Sequence, residues 1–176
     1  KVMNTKPKNA LIQPLAGLRV VDLTSVLFGP YATQTLGDLG ADIIKVEAPG
    51  GDVTRHIGPA RNATMAAGFL GCNRNKRSVL LDLKRAAARD ALWRLIDTAD
   101  VFVHNIRPQK IATLGFTPEA VMTRKRDIVY GAFHGYLEEG PYAGRPAYDD
   151  VIQGESGMAA AFAARDGEPA LAPFVA

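Results

Sequence analysis

Cysteine is almost absent from this chain. Cys72 stands alone, so no disulfide can close within the molecule, and a reducing compartment such as the cytoplasm is the expected setting. Long apolar runs are missing too. None approaches the ~20 residues that a membrane-spanning helix needs, and the opening "KVMNTKPKNALIQP" lacks the sustained apolar stretch of a secretory signal. A strong excess of one sign of charge is missing as well. The net charge is +3 with pI ≈ 9.1, and the densest basic cluster, "NRNKRS" at 73–78, carries no interleaved aromatics, so neither a nucleic acid nor a membrane is expected as partner. There is no Gly-x-Gly-x-x-Gly loop, no G-x-x-x-x-G-K-[ST] phosphate loop and no G-x-S-x-G elbow. Ser156 in "GESGM" follows a helical pattern rather than a strand. His56, His104 and His134 lie in separate loops without the i,i+4 or Cys partner spacing of a zinc site, so no metal is expected. Cys72, in "GCNRNK", has positive charge nearby that could lower its pKa, but reads as a small buried residue.

What the chain does have is alternation. Its 176 residues, 47% hydrophobic and 22% charged, suit one domain with a real core. Residues 1–14 read as a loose leader ending at Pro14, and 15–176 as the folded domain. "LRVVDLT" (18–24) is a β-branched strand; residues 30–39 follow with Ala32, Leu36 and Leu39 at helical spacing, a buried stripe. "ADIIKVE" (41–47) is strand again, and the Gly- and Pro-rich 48–64 is loop. "SVLLDL" (78–83), "DVFVHN" (100–105) and "DIVYGAF" (127–133) read as further strands. Between them fall a helix over 84–99, with Ala88, Leu92, Leu95 and Ile96 on one side, and two short helices, the second capped by Thr117 before Pro118. "YDDVIQGESGMAAAFAA" (148–164) reads as helix, weakened by Gly154 and Gly157. Strands separated by helices predict an α/β fold: a Rossmann-like parallel sheet with helices on both faces.

In such a sheet, ligands gather where strands end and loops lead into helices. The polar loops "SVLFGP", "EAPGGDVTR", "HNIRP" and "HGYLEEG" fall there, with Arg55, Arg107 and Lys84 available as cations. Such a cleft suits a long, partly apolar anion. Pro30 fits the first helical position, whose unpaired amides favour a phosphate. Leu27 and Phe28, however, occupy places where a dinucleotide fold wants glycine. Glu47 lies near the spacing of a ribose-binding acid, so a dinucleotide-binding oxidoreductase domain stays open as an alternative, as does a non-catalytic assembly module.

Taken in order, "LAGLRVVDLT", "GPYATQTLGDLGADIIKVE", "PGGDVTR", "NRNKRSVLLDLK", "ADVFVHNIRP", "LGF" and "RPAYDDVIQGESGM" resemble the amino-terminal part of the class III CoA-transferases, relatives of formyl-CoA and carnitine-CoA transferases and of α-methylacyl-CoA racemases. The resemblance implies coenzyme A as ligand, with acyl-CoA and a carboxylic acid acceptor as substrates and an intertwined homodimer as assembly. It implies CoA contacts from Leu81, Asp82, Leu83 and Lys84, from Asn105 and Ile106, and from the stretch holding Ala147 and Asp149. Val26, Leu27 and Phe28 would wall the pantetheine trough, Arg55 and Lys84 would meet phosphates, and Tyr148 would border the thioester. Ala48 and Thr113 stand where relatives often carry Arg. Where a racemase has its proton-moving His, this chain has Tyr148, a poor base at neutral pH. Transfer is therefore favoured over racemisation. The resemblance places the nucleophilic Asp just after Ala176, outside this sequence, so turnover by the chain alone is not expected.

Overall fold

The computed structural model describes residues 13–172; nearly all of the leader, and the final "PFVA", lie outside them. Five strands form one sheet: β1 (Arg19–Leu23), β2 (Asp42–Glu47), β3 (Lys76–Leu80), β4 (Val101–His104) and β5 (Val129–Ala132). Every pairing is parallel and the order is β3-β2-β1-β4-β5. The helices are α1 (Phe28–Asp38), α2 (Ala67–Asn73), α3 (Ala86–Asp97), α4 (Pro108–Leu114), α5 (Pro118–Arg124), α6 (Asp149–Glu155) and α7 (Met158–Asp166), with a 3-10 turn at Val53–His56. The α/β parallel sheet expected from the alternation is the fold observed.

Side chains alternate across a strand, so each strand serves two layers. Val21 and Leu23 of β1, Val46 of β2 and Phe102 of β4 point to one face, where they join Leu92, Ile96, Ile111, Phe116, Val121 and Ile128 in the larger apolar cluster. This is the layer of α3, α4 and α5. Val20, Ile43 and Val103 point the other way, with Leu36 and Phe133 against them. On that second face the carboxyl-terminal ends of the strands carry Asp22, Lys45 and Ser78 in register, with Glu47 two residues further along β2.

That polar patch corrects the reading of α1. The expected stripe of Ala32, Leu36 and Leu39 is not what the helix buries; it buries Gly29, Pro30, Thr33 and Gln34, while Leu39 is largely exposed. The sheet beneath is ionic, so the helix turns hydrogen-bonding groups toward it. Thr33 Oγ1 donates to Asp22 Oδ2 at 2.6 Å, and Gln34 Oε1 accepts from Arg74 N–H at 3.2 Å. Pro30 is the third helical residue rather than the first, because α1 begins at Phe28; the missing N–H still costs nothing, since the first four amides of a helix have no internal acceptor. The close approach that needs glycine is Gly29: a Cβ there would lie 2.4 Å from Thr24 Cβ. Two further boundaries move. The 48–64 loop contains the 3-10 turn, capped by Asp52 accepting from Thr54 N–H. The helix over 148–164 breaks into α6 and α7 at Gly157, whose φ of 78° an L side chain resists.

Candidate functional site

With strand order 3-2-1-4-5, the chain leaves β1 and β4 in opposite directions, and a crevice opens between them at the carboxyl edge. Asn105 ties its two sides together. Ser25 N–H donates to Asn105 Oδ1 (3.0 Å) and Asn105 Nδ2 donates back to Ser25 O (2.8 Å), so one side chain clips the two diverging loops together. Beside this clip lies a cleft of about 390 Å³. Its walls come from four strand ends: Thr24 and Ser25 after β1, Ala48, Pro49 and Val53 after β2, Leu81 to Lys84 after β3, and Ile106, Lys110 and Leu114 from β4 and α4. The lining is mostly aliphatic, with a few charged groups.

Most of those charges are internally matched. Lys45 Nζ, 1% exposed, donates to Asp52 Oδ2 (2.9 Å) and Thr24 O (2.8 Å). Glu47 takes two parallel bonds from Arg55, at 2.7 and 2.6 Å, together with Ser78 Oγ and Asp52 N–H. Burial pushes Glu47 upward, yet these donors outweigh it and its pKa falls to about 2. For Asp52, too, the cost of burial is overcome, by the Lys45 charge and the Thr54 donors, and its carboxyl lies below the usual range. Alongside, Lys76 Nζ reaches Asp22 Oδ2 (3.1 Å), Pro30 O and Asn73 Oδ1; burial lowers its pKa against the pull of Asp22. Among the described residues no buried side-chain nitrogen or oxygen is left without a partner. Lys84 and Lys110 differ from the rest. Both are exposed, and neither ammonium has a hydrogen bond or ion pair among the described residues.

Two of the three histidines, read in separate loops, come together. His104 and His134 have ring centroids 5.9 Å apart. Ile106 N–H donates to His104 Nδ1 (3.1 Å), which leaves Nε2–H to donate to Tyr130 OH (2.7 Å), whose own proton goes to Phe116 O (2.8 Å). Burial, with His134 nearby, lowers the pKa of His104 to about 4, so the ring is neutral near pH 7 and braces the connection carrying Asn105 and Ile106. Among the described residues, no group of three His, Cys, Asp or Glu is placed to hold a metal. Cys72 is buried and burial raises its pKa.

Against this frame of loops, the chain matches a family model described as CoA-transferase family III over residues 15–176. The chain belongs to that family. It is 40% identical over 171 residues to a probable fatty acyl-CoA transferase, Rv3272, of Mycobacterium tuberculosis, covering 96% of this chain and 43% of that protein. It is equally 40% identical to human succinyl-CoA:glutarate CoA-transferase, covering 90% of this chain and 36% of the relative. The crystal structure of Rv3272 in its orthorhombic form superposes with a TM-score of 0.82 at 41% identity, over 92% of this chain and 44% of that one. A CAIB/BAIF family protein from Brucella suis gives 0.79 at 40% identity, over 84% and 40%. The chain thus spans less than half the length of these relatives.

Within this family III chain, the residues expected at the site fall in different places. Leu81, Asp82, Leu83, Lys84 and Ile106 line the cleft together. Asn105 is outside the lining and clips together the loops that bound it. Val26, Leu27 and Phe28 are beside the cleft rather than in its lining: Phe28 is 66% exposed and packs edge-on against Phe133 at 5.3 Å. Val26 holds φ at 72°, strained for a β-branched residue, with its N–H toward Asp52 Oδ1 at 3.3 Å. Arg55 is elsewhere. Its guanidinium is committed to Glu47 and lies 3.7 Å over the Phe69 ring, lining a neighbouring 280 Å³ hollow. The same pairing engages both oxygens of Glu47, the acid read near ribose-binding spacing. Ala147, Tyr148 and Asp149 lie at the start of α6, outside the cleft lining, with Tyr148 70% exposed and Asp149 accepting from Gln153 Nε2. Lys110 escaped the sequence reading, although a signal existed: Ile106, Lys110 and Leu114 recur at four-residue intervals, the spacing of one helix face.

Proposed function

We propose that this chain is the coenzyme A-binding part of an enzyme that moves CoA between carboxylic acids. One observation carries the reading: four strand ends converge on an aliphatic cleft whose unmatched charges, Lys84 and Lys110, are both cations. CoA has that composition, an apolar pantetheine arm joined to a phosphorylated adenosine. In this reading Leu81, Leu83 and Ile106 pack on the arm or adenine, Lys84 meets phosphate, and Asn105 holds the bounding loops together. Val26 to Phe28 form the rim beside which the arm leaves the cleft, and Tyr148 borders the thioester.

The chemistry that follows belongs to the whole protein. A carboxylate of Asp, placed by the family pattern just after Ala176, attacks the thioester carbonyl. The C–S bond breaks, CoA thiolate leaves, and an aspartyl mixed anhydride remains. The thiolate then attacks the aspartyl carbonyl of the anhydride, which releases the donor acid as its carboxylate and leaves an aspartyl-CoA thioester. The acceptor carboxylate attacks that thioester, expelling thiolate and forming a second anhydride. The thiolate takes the acceptor acyl group from it, restoring the Asp carboxylate. The names of the relatives, a fatty acyl-CoA transferase and a succinyl-CoA:glutarate CoA-transferase, support this reaction class. Tyr148, in the racemase His position, weighs against proton abstraction. An intertwined homodimer and a cytoplasmic setting complete the proposal; no helix among the described residues is long and apolar enough to cross a membrane.

Calorimetric titration of the chain with CoA tests the binding claim. We expect saturable binding, protection of Lys84 from amine modification, and about tenfold weaker binding in Lys84→Met, the effect of losing one charged hydrogen bond. Absence of heat and of protection would overturn the reading. Robust transfer by the 176-residue chain alone would overturn the placement of the nucleophile.

A further inference from the structure

Lys110 is the second unmatched cation of the cleft, and its position is hard to explain by stability. It is the third residue of α4, near the end where helix amides present positive charge, so its ammonium gains nothing from its own helix. The first turn of α4 contains no acid, and no carboxylate pairs with Lys110 among the described residues. The other charged side chains of the cleft are already engaged: Lys45 with Asp52, Glu47 with Arg55, and Asp82 with Arg85 at 3.5 Å. An exposed lysine without a partner is ordinary on a surface; one projecting into a concave, largely aliphatic wall is not.

Topology puts the two free lysines on opposite walls. Lys84 follows β3 and Lys110 follows β4, three strand spacings apart in the order β3-β2-β1-β4, or roughly 14 Å. Two long flexible side chains can reach inward from that separation. We infer that Lys110 is a phosphate-binding residue of this cleft, acting from the wall opposite Lys84, so that separate phosphate groups of one ligand are held from two sides. The inference rests on the proposed CoA-binding reading and deepens it.

The test is calorimetric titration of the purified chain with CoA over a series of salt concentrations, for wild type, Lys110→Met, Lys110→Arg and Lys125→Met. Lys125, which pairs with Asp127 outside the cleft, controls for net charge. We expect Lys110→Met to bind about tenfold more weakly, Lys110→Arg to stay within about threefold of wild type, and Lys125→Met to match it. Affinity should also fall less steeply with salt in Lys110→Met, because one screened contact has been removed. Equal affinity of Lys110→Met and wild type would overturn the inference while leaving the CoA reading intact. So would an Arg variant as weak as the Met variant, since shape rather than charge would then be responsible. A wild-type chain that takes up no CoA would sink the broader reading, and this inference with it.

Discussion

The two faces of the sheet solve the same burial problem by different means. Under α3, α4 and α5 the strands present Val21, Leu23, Val46 and Phe102 to aliphatic and aromatic partners, and close packing does the work. Beneath α1 and α2 the carboxyl half of the sheet presents Asp22, Lys45 and Glu47, with Lys76 from the edge strand, and every charge is met by a partner within hydrogen-bonding distance. An apolar layer tolerates repacking, because dispersion contacts are many and non-directional. An ionic layer does not, because each missing partner leaves a charge in a medium that solvates it poorly. The ionic layer adjoins the cleft: Asp52 holds Lys45, caps the 3-10 turn and accepts from strained Val26. Rigidity is therefore concentrated where the loops must be held, and the apolar face supplies the bulk of the core.

The sharpest way to break this comparison is to remove one charge. Lys45→Met should cost about 3–5 kcal/mol by stranding Asp52, and Asp52→Asn added to it should restore part of the loss. Leu92→Ala on the opposite face should cost about 2–5 kcal/mol with no second-site recovery of that kind. Urea unfolding of these three variants and of Asp52→Asn alone measures both; simple additivity of the Lys45 and Asp52 changes would contradict the ionic description.

Acid sharpens the contrast next. His104 titrates near 4 when folded against 6.5 when unfolded, so the unfolded chain binds the proton first. Its contribution is complete above pH 6.5 and is lost as pH falls toward 4, up to about 3 kcal/mol. Glu47, lowered from 4.5 to about 2, is likewise fully contributing above 4.5 and loses its share below it. Stability measured by urea midpoints should thus decline in an upper limb between pH 6.5 and 4 that His104→Gln removes. A flat profile from pH 7 to 4.5 in the wild type would contradict the buried neutral imidazole. The smallest effect is steric. Gly29→Ala must force α1 off Thr24, and we expect a loss of about 1–3 kcal/mol, read from the same urea curves.

Particular residues show why part of this was legible in the sequence. β-branched runs such as "RVV" and "DII", spaced by helical segments, carry their strand identity locally, so the parallel sheet could be read without coordinates. The place of "LDLK" at the cleft comes only from the family resemblance, since by its own pattern it reads as the end of a strand, whereas β3 stops at Leu80. Arg55 could not be assigned: whether its guanidinium faces a ligand or Glu47 depends on how the 3-10 turn folds back over β2. Thr33 and Gln34 were hidden for a related reason, since an apolar count cannot reveal a helix whose buried side answers an ionic sheet.

By itself the sequence determined which segments extend, which coil, and hence a parallel α/β sheet, because those choices rest on backbone sterics and on the period of apolar side chains. Only the tertiary structure decided which charges are spent on one another and which remain to meet a ligand. Pairing depends on distances of 3 Å between residues tens of positions apart, such as Asp22 with Lys76. By the same reckoning it leaves Lys84 and Lys110 facing into the cleft without an internal partner.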